Sequence, residues 1–384
     1  MKVSLTDICD FQGGTQPPKD EWIDQPAQGY VRMLQIRDFT QSDKNYIEYV
    51  KDTGKLKTCI EDDILIGRYG ASIGKILTGL AGAYNVAIVK TIPDEKVVSK
   101  KYLYWYLNSQ YFQRFISNVG SRAAQAGFNK NDLGAAQIPL VDKERQEEIC
   151  EMLEKANKLI SLRKQQLAKL DELIKARFVE MFGDFEFNPK EFPVYHLCEL
   201  CDVGSSKRIY QEEQSISGIP FLKVADLNEL IDTGKYSCST FIPLERYEQL
   251  LHKELTPTEN DILITSRGTL GKCYIVQSDD EFYFQDGMIS WLSNFSPKVS
   301  SIYISYLFAQ PYIQKQIESL QAGSTVAYLS IAMLKKINVI LPPKKLQDDF
   351  ATFVEHVDQQ KQTVQQSLEK LELLKKALMQ EYFG

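Results

Sequence analysis

Two hydrophobic rhythms alternate along the chain. Between residues 142 and 184, seam positions fall at alternating steps of four and three, on Ile149, Leu153, Ala156, Ile160, Arg163, Leu167, Leu170, Ile174, Arg177 and Met181. Eight of these ten are apolar, the heptad signature of a helix that packs along another helix. The seam returns 201 residues later as Phe350, Val354, Val357, Lys361, Val364, Leu368, Leu371, Lys375, Leu378 and Tyr382, again eight of ten apolar. The predicted coiled-coil contacts are therefore Ile149, Leu153, Ile160, Leu167, Leu170 and Ile174 on one helix, and Val354, Val357, Val364, Leu368, Leu371 and Leu378 on the other. The stretches between read differently. Short β-branched runs such as Val86-Ala87-Ile88-Val89 and Ile262-Leu263-Ile264-Thr265 alternate with Gly-containing turns, and one helix is predicted over Tyr102 to Ile116 and another over Ile302 to Leu320. Each is a mixed α/β (α+β) segment.

The chain is built twice. Leu5-Thr6-Asp7-Ile8-Cys9-Asp10 recurs as Leu197-Cys198-Glu199-Leu200-Cys201-Asp202, and Met33-Leu34-Gln35-Ile36-Arg37-Asp38 as Phe221-Leu222-Lys223-Val224-Ala225-Asp226. Asp63-Ile64-Leu65-Ile66 matches Asp261-Ile262-Leu263-Ile264, and Ile73-Gly74-Lys75 matches Leu270-Gly271-Lys272. These early offsets wander between 188 and 198, whereas Gln146 and Gln347, like Phe182-Gly183 and Phe383-Gly384, stand 201 residues apart. Loop insertions are thus tolerated early in each half and not late. Four segments follow: globular residues 1–141, a helix over 142–184, globular residues 185–341 and a helix over 342–384.

Composition narrows the class. With 384 residues, 43% hydrophobic and 25% charged, the chain has room for two or three cores and is neither collagen-like nor disordered. No apolar run has the 18 or so residues of a membrane helix, and Asp7 and Asp10 interrupt any secretory h-region. Seven cysteines, an odd number, read as reduced thiols, so a cytoplasmic location and no membrane partner are expected. The formal charge of −6 excludes a uniformly basic coat for nucleic acid. It is unevenly spread: residues 1–141 carry 17 basic and 15 acidic residues, net +2, and residues 185–341 carry 13 and 19, net −6. Each helical segment is net −1. Any DNA contact must come from loop cations rather than overall charge.

Such cations lie at corresponding places. After the Asp-Ile-Leu-Ile run come Arg68-Tyr69-Gly70-Ala71-Ser72-Ile73-Gly74-Lys75 in one half and Ser266-Arg267-Gly268-Thr269-Leu270-Gly271-Lys272 in the other. Glycine lets a backbone approach a phosphate or base edge closely, and Arg reads guanine with two hydrogen bonds. A second pair of loops is Gly120 to Lys130, with Arg122, Gln125, Asn129 and Lys130, and Gly323 to Tyr328, with Ser324, Thr325 and Tyr328. A third is Gly13-Gly14-Thr15-Gln16 and Gly204-Ser205-Ser206-Lys207-Arg208. The residue types suit phosphate and base contacts, giving Thr15, Gln16, Arg68, Tyr69, Lys75, Lys207, Arg208, Arg267 and Lys272 as further candidates. The alternative for each loop is a polar hairpin with solvated charges. Recurrence in both halves favours function.

Catalysis finds little footing. Gly70 to Lys75 has three residues between its glycines where a P-loop has four, and Ile76 stands where Ser or Thr is needed. None of the three histidines, His196, His252 and His356, recurs in the other half. Cys198 and Cys201 with His196 suggest zinc, but Thr6 and Cys9 occupy the equivalent cysteine positions and no second Cys-x-x-Cys completes a ligand set. No catalytic or metal residue is expected.

In this order, and twice over, these motifs make the chain resemble the specificity subunit of a type I restriction-modification enzyme. The match is carried by the Asp-Ile-Leu-Ile run with its Gly-Lys loop, Gly323-Ser324-Thr325, Pro342-Pro343-Lys344-Lys345-Leu346-Gln347, and the Met181-Phe182-Gly183 and Tyr382-Phe383-Gly384 helix ends. The first half departs from it, with Val141-Asp142 in place of Pro-Pro and Arg122 after Gly120-Ser121. The resemblance implies two target-recognition domains separated by two long helices in an antiparallel coiled coil, with an internal pseudo-twofold repeat. It implies double-stranded DNA with a bipartite target as a partner. It also implies two modification subunits that bind S-adenosylmethionine and methylate adenine, and two restriction subunits that use ATP and Mg. This chain shows neither an Asn-Pro-Pro-Tyr motif nor a P-loop, so no cofactor is expected on it. A helix of about 36 residues spans roughly 54 Å, against about 34 to 36 Å for a turn of DNA, so the helices are expected to act as a ruler and to dock the modification subunits. The rival reading is a dimeric helical scaffold or adaptor that binds no DNA, supported by the net −6 of the second globular segment.

Overall fold

The computed structural model describes residues 1–41, 47–122, 127–321 and 327–384, apart from the side chains of Gly120, Ser121 and Arg122. It divides into two units, Met1–Gln166 with Val364–Gly384 and Leu167–Thr363, so the divisions fall inside the helices. Each unit combines a globular α/β segment with the N-terminal half of one long helix or the C-terminal half of it, and the complementary half of the other. Both helices run 40 residues, Lys143–Phe182 and Lys344–Phe383.

In the first unit, a four-stranded antiparallel sheet is formed by β1 (Cys9–Gly13), β2 (Leu65–Gly67), β3 (Ile76–Leu77) and β4 (Ile88–Pro93), in the order β1-β4-β2-β3. The continuous apolar run at β2 has a simple cause. Ile64 and Ile66 pack into the main core with Tyr102, Tyr106 and Phe112, while Leu65 faces a second core with Leu34, Tyr84 and Ile88. A strand covered on both faces needs no polar alternation. A second sheet centres on Tyr30–Leu34, which runs parallel to Gly82–Tyr84. Val86 and Ala87 belong to the turn that leads into β4, not to the strand expected there.

The helix expected over Tyr102 to Ile116 is two, α1 (Lys100–Leu107) and α2 (Gln110–Arg122). Ser109 interrupts it by accepting a hydrogen bond from the Phe112 N–H at 3.2 Å, a local competitor for the helical ladder. In the second unit the stretch from Ile302 to Leu320 is likewise split into α3 (Ser301–Phe308) and α4 (Pro311–Leu320), where Pro311 takes the first helical turn. The second unit repeats the four-stranded order with β5 (Asp202–Ser205), β6 (Ile262–Thr265), β7 (Cys273–Ile275) and β8 (Ile289–Ser293), paired β5-β8-β6-β7. Its second sheet is smaller, and Ile219–Leu222 runs parallel to Tyr283–Phe284.

The helix halves pair antiparallel within each unit. In the first, Lys164 meets Glu372 at 3.0 Å and the Lys375 ammonium donates to Asn157 Oδ1 at 2.7 Å. In the second, Asp171 meets Lys361 at 2.7 Å and Phe178 packs on Phe350 with ring centroids 5.3 Å apart. Ile149, Leu153, Ile160, Leu170, Ile174, Val354, Val357, Val364 and Leu368 are buried, and Leu167, Leu371 and Leu378 half-buried. The two lysines in the second seam have distinct environments. Burial works against the charge of Lys361, but the Asp171 and Asp358 carboxylates more than offset it and raise its pKa. Burial and the nearby Lys164 charge lower that of Lys375.

The repeat is tightest where helix meets globular segment. The Gln146 amide is fully buried, accepting from the Ser99 N–H at 2.9 Å and donating to the Val97 and Val141 carbonyls, both at 2.9 Å. Gln347 does the same with Ser300, Lys298 and Pro342, at 2.9, 3.0 and 2.7 Å. At the far helix ends, Phe383 packs on Tyr102 in the first unit and Phe182 on Tyr303 in the second, with centroids 5.1 and 5.0 Å apart.

Candidate nucleic-acid interface

The candidate loops converge at one end of each four-stranded sheet. In the first unit, β1 ends at Gly13, β2 at Gly67, and β3 and β4 start at Ile76 and Ile88, all at the same edge. Arg68 Nε donates to the Phe128 carbonyl at 2.9 Å, Tyr69 bridges to Gly127, and the guanidinium lies 5.0 Å from the Tyr69 ring centroid. Gly127 is required there, because a Cβ would sit 2.6 Å from the Tyr69 ring. The Thr15 N–H donates to the Tyr84 carbonyl at 3.0 Å beside this cluster, with Gln16 exposed. Lys75 is exposed and forms no ion pair among the described residues.

Two candidates carry other work. Asn129 caps the short helix Lys130–Gly134, accepting from the Asp132 N–H at 3.1 Å. Lys130 forms an ion pair with Asp10 near the opposite end of β1, and that hydrogen bond holds the Asp10 carboxyl below the usual carboxylate range. Arg122 lies in α2 with its side chain outside the described residues, as are Gln125, Ser324 and Thr325.

The second unit builds the same cluster from different side chains. Arg267 bridges to Tyr328, its guanidinium 5.7 Å from that ring centroid. The backbone register makes Ser266, not Arg267, the counterpart of Arg68: the Ser266 N–H donates to Met288 as Arg68 donates to Ala87. Ser266 is buried and shares a 2.7 Å hydrogen bond with Ser290. Lys207 is exposed, its N–H donating to the Tyr283 hydroxyl at 2.8 Å. The other two cations are held by carboxylates. Arg208 donates to Asp286 at 2.8 Å, which raises its pKa, and Lys272 meets Asp232 at 2.6 Å.

Sequence reasoning missed these carboxylates and the turns Asn85–Ala87 and Gln285–Met288, which complete the sheet end. The Asn85 side chain accepts from the Ala87 N–H at 3.1 Å, and Gly287 adopts a φ of 68°. The Asp286-Gly287 pair is the one signal that marked such a turn. Cys198 is exposed whereas Cys201 is buried, with its thiol pKa pushed up to about 12 by burial. Among the described residues no three His, Cys, Asp or Glu side chains gather as metal ligands, and no helix is long and apolar enough to cross a membrane.

A duplicated α/β module, each copy carrying a polar loop cluster at one sheet end and seated on paired helices, is the architecture of a DNA-specificity subunit. The chain belongs to the type I restriction modification DNA specificity domain family, whose model matches residues 1–172 and 189–373. It is 25% identical over 403 residues to the type I restriction enzyme MjaVIII specificity subunit of Methanocaldococcus jannaschii, covering 98% of this chain and 90% of that one. It is 26% identical over 266 residues to the putative type I restriction enzyme specificity subunit S.HindORF215P of Haemophilus influenzae, covering 67% and 64%. Two solved structures share the fold. A chain from work on complex assembly and conformational transition of the type I R-M system has a TM-score of 0.62 at 14% identity, covering 100% of this chain and 97% of that one. The type I restriction-modification S subunit from M. genitalium has 0.59 at 16%, covering 100% and 96%.

Proposed function

We propose that each unit reads one half of a bipartite double-stranded DNA target with its sheet-end loop cluster, Arg68, Tyr69 and Lys75 in the first and Arg267, Tyr328 and Lys207 in the second. One observation supports the reading: segments far apart in sequence, Gly13–Gln16, Arg68–Lys75 and Gly127–Phe128 in the first unit and Ser205–Arg208, Arg267 and Tyr328 in the second, come together at the same end of identically ordered sheets among the described residues. Cations and aromatic rings on a glycine-rich edge suit phosphate and base-edge contact. The chain itself does no chemistry. Two modification subunits bind S-adenosylmethionine and methylate, and two restriction subunits use ATP and Mg, all in the cytoplasm. The helices set the spacer and dock the modification subunits.

The test is binding of the complex with its partner subunits to a random-sequence duplex as salt is varied. Counterion release predicts a linear fall of log affinity with log salt, and alanine at Lys75 and Lys207 lowers the slope by about one per lost phosphate contact. A scaffold that binds no DNA gives neither.

A further inference from the structure

The repeated run Met33 to Asp38 and Phe221 to Asp226 folds in both units as a strand end that turns into a helix, Ile36–Thr40 in the first and Val224–Thr233 in the second. The turn is built the same way twice. The Gln35 N–H donates to Asp38 Oδ2 and the Lys223 N–H to Asp226 Oδ2, each at 2.8 Å. In each unit the strand before it runs parallel to the strand that leads into the sheet-end turn, so the two turns lie side by side. The Asn85 N–H donates to the Leu34 carbonyl at 3.2 Å, and the Gln285 N–H to the Leu222 carbonyl at 2.9 Å. The strand-to-helix turn is thus a fourth segment at the sheet end.

In the second unit this segment adjoins groups already placed there. Gln285 precedes Asp286, which holds Arg208 at 2.8 Å, and the Gly287 N–H donates to Ser205 Oγ at 3.2 Å. Lys223 is exposed and forms no ion pair among the described residues. In this it is like Lys207 and unlike Arg208 and Lys272, which are held by Asp286 and Asp232. The first unit uses the position differently. Gln35 is half-buried, and its Nε2 donates to Glu48 Oε2 at 2.7 Å. The same carboxylate pairs with Lys19 and Arg37. One backbone turn therefore carries an amide tied into an ionic network in the first unit and an untied ammonium in the second.

We propose that Lys223 contacts a backbone phosphate of DNA as a further binding residue of the second unit, and that Gln35 makes no such contact in the first. The proposal rests on the DNA reading given above. An ammonium on a flexible stem meets a phosphate as a point charge, so the contact strengthens binding without reading sequence. Lys223 has no carboxylate to give up first among the described residues.

The test uses the complex with its partner subunits and a random-sequence duplex, with affinity measured as salt is varied. Lys223→Gln, which installs the residue of the first unit at an exposed position, is expected to bind severalfold more weakly at low salt and to lower the log–log salt slope by about one. Lys223→Arg is expected to keep the parent slope. So is Lys298→Gln, which removes an exposed charge beyond the opposite end of the same sheet, where β8 has ended at Ser293. The proposal is overturned if the parent binds with a salt slope that Lys223→Gln leaves unchanged, if Lys223→Arg lowers the slope as much as Lys223→Gln, or if Lys298→Gln lowers it equally. A parent complex with no salt-dependent binding overturns the DNA reading itself and this contact with it.

Discussion

The two units share a scaffold and differ in what their polar groups are tied to. In the first, Arg68 is held by a backbone carbonyl and Lys75 is unpaired among the described residues, while in the second Arg208 and Lys272 are held by Asp286 and Asp232. The same contrast runs inside the sheets. Asp63 opens the strand run of the first unit and is paired with Lys90 at 2.6 Å and Lys100 at 3.5 Å. Its counterpart Asp261 pairs with no cation among the described residues, and its carboxylate accepts from the Thr258 N–H at 2.8 Å and hydroxyl at 3.1 Å and from Trp291 Nε1 at 2.9 Å. A duplicated fold therefore fixes where loops meet and leaves their electrostatics free to diverge. On the proposed function, Arg208 and Lys272 of the second unit must give up Asp286 and Asp232 before they can bind DNA, whereas Lys75 of the first has no such partner to give up among the described residues.

The largest expected effect removes what the units share. Gln146→Leu leaves one N–H and two carbonyls buried without partners, and Gln347→Leu does the same in the other unit. Each costs about 3 kcal/mol or more, read as lower urea midpoints and loss of hydrogen-exchange protection confined to the unit that carries the change. A change that spreads equally over both units would break the two-unit description.

Arg267→Ala removes the guanidinium that faces Tyr328 and is expected to cost about 1 to 3 kcal/mol of discrimination. Competition binding with half-site variants reads it, and only one half of the target relaxes.

Asp63 and Asp261 separate the units by pH. Burial opposes ionisation of Asp63, but the Lys90 hydrogen bond, the Ile60 N–H and the charges of Lys90 and Lys100 more than offset it, so its pKa is lowered. Its contribution is present above the unfolded value of about 3.9 and is lost as pH falls through the lowered folded value. Burial raises the pKa of Asp261 despite its hydrogen bonds, so its contribution is present below about 3.9 and is lost as pH rises through the folded value. Asp63→Asn is accordingly expected to cost about 1 to 2 kcal/mol at pH 7 and progressively less below pH 4. Asp261→Asn costs less than this at pH 7. Urea unfolding at several pH values distinguishes the two, and equal pH profiles would contradict the contrast.

The smallest effect is the one specific to the loops. Asp286→Asn frees Arg208, and affinity for random-sequence DNA rises severalfold while the salt slope steepens by about one. As a control in the first unit, Asp10→Asn frees Lys130 away from the sheet-end cluster and leaves both quantities nearly unchanged.

What was legible in the sequence was local or duplicated. The heptad seams, the glutamine at each helix start and the Phe-Gly helix ends were readable because each recurs at the same offset of 201 residues. The split of α1 from α2 was not, because Ser109 acts through one side-chain hydrogen bond inside an otherwise helical run. Nor was the exchange of helix halves between units, since an unbroken heptad gives no mark where one packing neighbourhood gives way to another. Asp232 and Asp286 were missed because they lie 40 and 78 residues from the cations they hold.

The central claim is that each unit reads its own half-site. The complex with its modification subunits should be used to map methylated adenines genome-wide, with the parent chain and with residues 1–141 exchanged for those of another specificity subunit. A bipartite motif in which one half changes and the other half is retained is the predicted result. A motif that changes in both halves, or one that does not change at all, would contradict it.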